Sequence, residues 1–368
     1  MATGFYWDEK CFWHGGGDYA LTFPLGGNVQ PLVSGGLPES PETKRRLKNL
    51  MDVTGLLSEL DVRTAAEASR SDLERVHPAS YLDAFKSLSD DKGGELGHHA
   101  PFLHGGYEIA ALSAGMALAA VEAVATGALD NAYSLSRPPG HHCLPNDPNG
   151  FCLFNNIAVA IEAAQAKGLV KRVAVLDWDV HHGNGTEAIY YDRDDVLTIS
   201  VHQDRNYPLD TGAIADRGRG AGAGYNINVP LPAGSGHTAY MHVMERIVTP
   251  ALNAFKPDMI IVACGFDAAM FDPLSSMMAT ARTFKEMTAH IKADAQRLCD
   301  GKLVLTHEGG YSEAYVPFCG HATIATLAGS QTDAPDPVAE VVAHRQPAGE
   351  MDAFLRASID RMAAQLEL

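Results

Sequence analysis

The chain has 368 residues, 46% hydrophobic and 20% charged, which is enough apolar material to bury one large core. A formal net charge of −17 argues against electrostatic binding to nucleic acid or anionic lipid, but it is compatible with cationic substrates. The six cysteines include no CxxC pair, so we expect reduced thiols and a cytoplasmic protein. We expect no membrane span, because the sequence has no uninterrupted stretch of 18 apolar residues.

The amino-terminal part of the sequence is irregular. Residues 3–9 are predicted to form a strand. The Gly- and Pro-rich stretch 11–41 is predicted to be a long loop, which either lines an active-site entrance or is disordered. Ser40 followed by Pro41 is typical of a helix start and predicts a helix that continues to about Leu60.

Two short helical pieces broken at Pro78 are predicted next, followed by a Gly- and His-rich loop over residues 89–106. Its histidines are His98, His99 and His104. They could bind a metal, although solvated loop histidines are the simpler interpretation.

From residue 107 onwards, apolar strands alternate with helices. The predicted helices are 107–127, 155–168, 185–193, 236–256, 280–300 and 314–330, and the predicted strands are 132–137, 172–180, 196–203, 225–231, 258–268 and 302–311. This alternation predicts an α/β fold with a mostly parallel sheet covered on both faces. We interpret residues 1–368 as a single domain with a catalytic core over about 1–330. A polar segment and a final amphipathic helix, which packs on the body or on a partner subunit, make up 331–368.

Potential metal ligands follow two of these strands. In parallel α/β folds ligands bind beyond the carboxyl ends of the strands. Asp179 and His181 are two residues apart, so on an extended backbone both side chains leave the same face. Asp267 ends a later strand and supplies a third ligand, which leaves a fourth position open, as in catalytic zinc sites. A metal with an open position suits hydrolysis, because it activates water and polarises a carbonyl group.

Other strand ends carry groups suited to proton transfer. His141 and His142 follow a stiff Pro-Pro-Gly turn and are candidates for a general base and a general acid. Asp177 could hold one imidazole ring and Asn184 the other. Tyr311 follows two glycines and could donate a hydrogen bond to a developing oxyanion.

Five motifs together resemble one family. RPPGHH, GFCLFNN, VLDWDVHHGNGT, GFDA and EGGY occur in this order and closely resemble the zinc-dependent histone deacetylase and acetylpolyamine amidohydrolase family, in particular its bacterial class II histone deacetylase-like amidohydrolases. The resemblance covers about residues 1–330. It implies the arginase–deacetylase fold, with a central eight-stranded parallel sheet.

The resemblance also implies residue roles. Zinc would be bound by Asp179, His181 and Asp267. His141, paired with Asp177, would steer the attacking water, His142 would act as general base and then general acid, and Tyr311 would polarise the acyl carbonyl. Asn184 stands where class I members have a second aspartate, which should leave His142 less basic. The acyl-lysine channel would be formed by Gly150, Phe151, Tyr207 and Leu274, with Tyr207 placing a polar tip where phenylalanine is usual.

Structural potassium and self-association are implied in the same way. The inner potassium site would use Asp177 and Ser200 with main-chain oxygens of Asp179, His181 and Val201, and the outer one main-chain oxygens of Tyr190, Arg193, Val196 and Tyr225. The expected partner is an acyl-lysine or acyl-amine substrate, and the chain is expected to be a homo-oligomer such as a tetramer.

Three alternatives to a lysine deacylase would require other residues. A two-manganese ureohydrolase would need further carboxylates at positions that here hold Gly183 and Ala269. An acetylpolyamine deacetylase remains open, although Leu274 replaces a rim glutamate of some members. An inactive acyl-lysine-binding module would lack a ligand or Tyr311, and all are present. A redox switch between Cys143 and Cys152 is a further hypothesis.

Overall fold

The computed structural model describes residues 2–16, 19–24, 29 and 36–368. It is a single α/β domain built on an eight-stranded sheet, as the resemblance implied. The sheet order is β10-β9-β8-β11-β12-β7-β1-β4, and every neighbouring pair is parallel. Its strands are β1 Thr3–Tyr6, β4 Asp61–Arg63, β7 Asn131–Ser134, β8 Val173–Asp177, β9 Val196–Gln203, β10 Asn226–Leu231, β11 Met259–Cys264 and β12 Leu303–His307. Two antiparallel hairpins lie outside it, β2 Tyr19–Ala20 with β3 Phe23–Pro24 and β5 Gly93–Glu95 with β6 Pro101–Leu103.

The helices connect the strands and cover the sheet. They are α1 Glu42–Thr54, α2 Arg70–Leu73, α3 Ala79–Asp91, α4 Gly106–Ala125, α5 Asn156–Ala166, α6 Asn184–Tyr190, α7 His237–Val243, α8 Thr249–Phe255, α9 Ala281–Cys299, α10 Val316–Ala328, α11 Ala339–His344 and α12 Glu350–Gln365. Short 3-10 helices occupy Glu9–Trp13, Leu56–Glu59 and Gly220–Gly222.

The central strands are buried on both faces. Every residue of β8, β11 and β12 is buried, although successive side chains point to opposite faces. This is the pattern expected of parallel strands between two helical layers. Because the strands are parallel, the loops that carry the catalytic candidates all leave the same edge of the sheet.

Several sequence-based predictions were wrong in detail. The eighth strand, β4, was not predicted, because its three residues are partly exposed and follow a short 3-10 helix. The first helix ends at Thr54 rather than near Leu60, since Gly55 takes a left-handed conformation (φ 90°). Within 11–41, a 3-10 helix and the β2–β3 hairpin replace part of the predicted loop; residues 17–18, 25–28 and 30–35 of that stretch lie outside the described residues. The loop 89–106 contains the β5–β6 hairpin.

The carboxy-terminal helix packs on the body of the same chain. Leu355, Ile359 and Ala363 of α12 are buried, and Thr238 of α7 donates a hydrogen bond to Asp352. The preceding polar segment contains a short helix, α11, that was not predicted.

One helix, α4, is long and apolar enough to cross a membrane by length and hydropathy alone. Most of its residues are buried inside the protein, where it packs on α5 and on the sheet. A core helix of a globular domain has the same features, so this finding is weak evidence for a membrane span.

Candidate active site

The predicted metal ligands converge at the carboxyl edge of the sheet. Asp179 and His181 follow β8, and Asp267 follows the neighbouring strand β11. Ligand atoms from the three side chains all lie within 4.8 Å of one another, and all three residues are buried. Nδ1 of His181 lies 3.0 Å from Oδ1 of Asp179 and 3.1 Å from Oδ2 of Asp267.

The surrounding backbone fixes both carboxylates. Asp179 accepts hydrogen bonds from the amides of His181 (2.9 Å) and Gly309 (2.8 Å), and Asp267 accepts one from the amide of Val180 (2.8 Å). These contacts leave the second oxygen of Asp267 directed at His181.

Two glycines make room for this cluster. A Cβ atom on Gly309 would lie 2.1 Å from Oδ2 of Asp267 and 2.7 Å from Oδ2 of Asp179. A Cβ on Gly265 would lie 2.2 Å from Oδ2 of Asp179. Both positions therefore exclude any side chain, and sequence reasoning did not identify either glycine as part of the site.

The electrostatics of the cluster favour a bound cation. Burial and the charge of Asp179 raise the pKa of Asp267 to about 6. Burial opposes ionisation of Asp179 too, but His141 and His181 outweigh it and hold its pKa well below the usual range. Two buried carboxylates at this separation need positive charge, and a set of two oxygens and one nitrogen suits zinc with an open position. The residues fit the predicted metal.

A second group of ligand-type atoms, from His141, Cys152 and Glu308, also lies within 4.8 Å. Its members have other partners: Nδ1 of His141 binds Asp177, and Glu308 accepts two backbone hydrogen bonds. Burial raises the pKa of the Cys152 thiol well above its ordinary value, which disfavours the thiolate that metals bind. The first group is therefore the better candidate for a metal site.

The predicted histidine pair lies beside the predicted metal ligands, and the ring of His142 is 5.9 Å from that of His181. Nδ1 of His141 lies 2.9 Å from Oδ2 of Asp177, and Nδ1 of His142 lies 2.7 Å from Oδ1 of Asn184. Burial lowers the pKa of His141, but Asp177 and Asp179 outweigh it and raise that pKa to about 10. Burial and the neighbouring His141 lower the pKa of His142 well below its usual value. These shifts favour the charged form of the His141 ring and the neutral form of the His142 ring.

Tyr311 completes the group from the neighbouring strand β12. Its ring is 6.3 Å from that of His181, and its amide donates to Oδ2 of Asp272 (2.7 Å). Burial and the charge of Asp267 raise its pKa well above 10, so the hydroxyl keeps its proton. Asp272 was missed from the sequence; it also accepts from the amide of Leu274 (2.9 Å) and so positions both the tyrosine and the rim.

His181, His142 and Tyr311 line a cavity of about 230 Å³. All four predicted channel residues line it; the lining side chains and backbone come from Thr22, His99, His142, Gly150, Phe151, His181, Asn206, Tyr207, Leu274 and Tyr311. The hydroxyl of Tyr207 hydrogen-bonds to Asn149, so its polar tip has a partner.

Two of the residues that line the cavity, Gly150 and His99, have features that the sequence alone did not show. Gly150 has a positive φ of 51°, and a Cβ there would lie 2.4 Å from the ring of His142, which explains the glycine. His99, interpreted from the sequence as a solvated loop residue, lies at the cavity mouth and its ring is 6.2 Å from that of Tyr207.

Residues outside the centre have structural partners. The two ring nitrogens of His182 contact Thr211 and Glu187 rather than the predicted metal ligands. The catalytic loop begins at the buried Arg137, which donates to Glu39 (3.0 Å) and to the carbonyl oxygens of Cys11 and His14. Glu39 also binds the buried Lys44 at 2.8 Å.

The residues of the predicted potassium sites lie on and around β8 and β9. Asp177 and Ser200 are register partners on these neighbouring strands. In the outer group, the carbonyl oxygens of Tyr190 and Tyr225 accept hydrogen bonds from the amides of Arg193 and Thr198, both at 3.0 Å. Potassium at either place stays a prediction.

Cys143, which directly follows the histidine pair, and Cys152 are buried free thiols. Cys143 donates to the carbonyl of Leu153 and Cys152 to that of Gly150. Burial raises the pKa of both thiols, which disfavours the reactive thiolate. This environment speaks against a redox switch, which stays an untested prediction.

Fold and site together indicate a hydrolase with a possible metal site, because a candidate ligand set, a histidine pair and a tyrosine lie together at the carboxyl edge of a parallel sheet and one member of each lines the same pocket. The family model described as "Histone deacetylase domain" matches residues 37–327. The chain belongs to the histone deacetylase family and is a hydrolase of its deacetylase and amidohydrolase class.

Similar proteins support this assignment over the full length. The chain is 56% identical, over 366 residues, to a histone deacetylase-like amidohydrolase of Pseudomonas aeruginosa, covering 100% of this chain and 96% of that protein. It is 39% identical over 298 residues to a probable deacetylase of Archaeoglobus fulgidus, covering 79% of this chain and 82% of the relative. Among solved structures, that of the HDA15 HD domain superposes with a TM-score of 0.81 at 30% identity, covering 100% of this chain and 99% of the other.

Proposed function

We propose that the protein removes acyl groups from N-ε-acyl-lysine-type amides in a zinc-dependent hydrolysis. The observation that carries this proposal is that His181 of the predicted ligand set, His142 of the histidine pair and Tyr311 line one pocket, while Asp179 and Asp267 lie against His181. Such a pocket admits a slender chain bearing an acyl amide at its end, but not the backbone of a folded protein.

Asp179, His181 and Asp267 would hold one Zn²⁺, which supplies a Lewis acid for the carbonyl and lowers the pKa of water. The charged ring of His141, oriented by Asp177, would position the attacking water. The neutral ring of His142 accepts a proton from that water and then returns it to the departing amine. The protonated hydroxyl of Tyr311 donates a hydrogen bond to the carbonyl oxygen as negative charge develops there.

The second candidate is an acetylpolyamine deacetylase using the same site. The chain's net charge of −17 suits cationic substrates of either kind. Leu274, at the pocket rim, offers no charge to a distant ammonium group, which favours the acyl-lysine substrate.

The deciding experiment compares an acetyl-lysine peptide, acetylputrescine and a thioacetate ester with protein loaded with one equivalent of zinc. We expect turnover of the peptide with a higher kcat/KM than that of acetylputrescine. Higher kcat/KM for acetylputrescine would select the polyamine function. No turnover of any substrate at full metal occupancy would contradict both.

We also propose structural potassium, self-association and a cytoplasmic location, without nucleic-acid or membrane partners. The paired Asp177 and Ser200 support the first, and exposed Trp13, Phe23 and Leu209 support apolar contacts between copies. The six buried free thiols suit a reducing compartment. If potassium is structural, the Tm should be higher in potassium than in sodium salts. If the chain self-associates, light scattering should give a mass above that of one chain.

A further inference from the structure

Glu308 is a buried carboxyl group at the end of β12 that the proposed mechanism does not use. Its Oε2 accepts hydrogen bonds from two consecutive amides of the catalytic loop, those of Gly140 (2.7 Å) and His141 (3.1 Å). Its Oε1 has no hydrogen-bond partner among the described residues, and the side chain is fully buried. Burying a carboxylate is costly, so a residue of this kind at this place calls for a specific role.

The two contacts of Glu308 fix the amide groups of the segment that carries the histidine pair. The carbonyl side of this segment is held by α6, since the carbonyl oxygen of His141 accepts hydrogen bonds from the amides of Gly185 (3.0 Å) and Thr186 (3.1 Å). The main chain of His141 is therefore fixed on both sides, and on the amide side Glu308 is the acceptor.

The backbone around Glu308 connects this segment to the other catalytic loops. The amide of Glu308 donates to the carbonyl of Cys264 at the end of β11 (3.2 Å). The next residue, Gly309, donates to the metal ligand Asp179, and Tyr311 lies two residues further on. One short segment thus joins the loops that carry the histidine pair, a metal ligand and the tyrosine.

We propose that Glu308 is a positioning residue for the hydrolysis, which acts by holding the amides of Gly140 and His141 so that both imidazole rings keep their place relative to the metal ligands. Displacements of about 1 Å in a catalytic group can reduce a rate about 100-fold. Glu308 does not line the substrate pocket, so its loss should change kcat and leave KM nearly unchanged. The expected changes in kcat and KM rest on the proposed function, whereas the expected positioning of the two amides does not.

The experiment uses three substitutions of Glu308 in the full chain. Glu308→Gln keeps an oxygen that can accept both amides, Glu308→Asp retracts the carboxylate by one methylene group, and Glu308→Ala removes the acceptor. The matched control is Thr306→Val on the same strand, because Thr306 is buried and its hydroxyl has no hydrogen-bond partner among the described residues. Kinetics on the acetyl-lysine peptide and zinc content are measured for each protein, and so is amide hydrogen exchange of the segment 138–143.

We expect kcat to fall about 10- to 100-fold for Ala and Asp and less than about threefold for Gln and for the control, with KM changed less than about twofold and zinc retained. Exchange of the Gly140 and His141 amides should accelerate at least about tenfold in Ala and Asp only. Should the Ala variant fail to fold, the Asp variant decides.

Two results would overturn the proposal. The first is a wild-type kcat together with wild-type amide exchange in Glu308→Asp. The second is an equal loss of kcat in Glu308→Gln and Glu308→Asp, which would make the charge of Glu308 rather than its hydrogen bonds the cause. If the wild-type protein hydrolyses no acyl amide, the proposed function fails. The exchange measurement still decides whether Glu308 holds the loop.

Discussion

Gly309 offers a direct test of the metal site, because a single methyl group placed there should displace two ligands. The Cβ of Gly309→Ala would lie 2.1 Å from Oδ2 of Asp267, 2.7 Å from Oδ2 of Asp179 and 2.9 Å from the hydroxyl of Tyr311. Real Cβ atoms essentially never approach other atoms closer than 3.0 Å. Oδ2 of Asp267 must therefore retreat by about 1 Å, several times the tolerance of about 0.2 Å on metal–ligand distances.

We expect the zinc Kd of Gly309→Ala to rise at least about 100-fold, since loss of mere supporting contacts around a metal already costs 10- to 100-fold. Zinc affinity is measured by competition with a chromogenic chelator. The free energy of unfolding of the metal-free protein should fall by about 1–3 kcal/mol, as for other overpacked sites.

The matched control is Gly94→Ala in the β5–β6 hairpin, where the nearest atom to a new Cβ is 3.7 Å away. Its zinc affinity should equal that of the wild type. Wild-type affinity in Gly309→Ala as well would show that the two carboxylates do not bind the metal in the arrangement described, and the assigned ligand set would be wrong.

Three further predictions concern single side chains. Tyr311→Phe should lower kcat about 10²- to 10³-fold with zinc content unchanged, and activity near wild type would refute its role. Asn184→Asp places a negative charge at Nδ1 of His142, raises that pKa and should move the acid limb of the kcat/KM profile to higher pH; an unmoved limb would contradict the assignment of the base. Glu39→Gln leaves two buried cations unpaired and should cost about 3–5 kcal/mol of unfolding free energy at pH 7 in urea titrations. Burial opposes ionisation of Glu39, but the two cations outweigh it and lower its pKa from 4.5 to about 2. The contribution of ionised Glu39 to stability is therefore complete above about pH 4.5 and is lost as the pH falls towards 2. An unchanged urea midpoint in Glu39→Gln would refute this prediction.

The sequence was most informative where strands are apolar and end in a polar residue. The strand 196–203 was predicted with its observed bounds, and 172–180 and 258–268 contain β8 and β11. In 172–180 and 258–268 an apolar run changes abruptly to polar residues, so both the strand and the position of its predicted ligands can be read from the sequence, whereas in 196–203 the alternation of apolar and polar residues indicates the strand. The three-residue strand β4 has no such signal, because hydrogen bonds to β1 rather than burial define it.

The supporting residues could not be predicted in the same way. Asp272 and Glu308 act through backbone amides that lie 39 and more than 160 positions away in the chain. Such contacts depend on the order of strands in the sheet, which places β7 beside β12. No local pattern carries that order. The available signal was only that an acidic residue directly follows the buried strand β12, since burial of an unpaired carboxylate is unfavourable.

The steric environment of Gly183 extends the argument for one metal rather than two. A second divalent ion of the ureohydrolase type would need a carboxylate at this position. A Cβ on Gly183 would lie 2.2 Å from Oδ2 of Asp177, the oxygen that binds Nδ1 of His141. Any side chain there would displace Asp177 and release the histidine that positions water. The glycine therefore supplies no ligand for a second ion and leaves room for the Asp177–His141 pair, which agrees with the proposed single-metal hydrolysis of acyl amides.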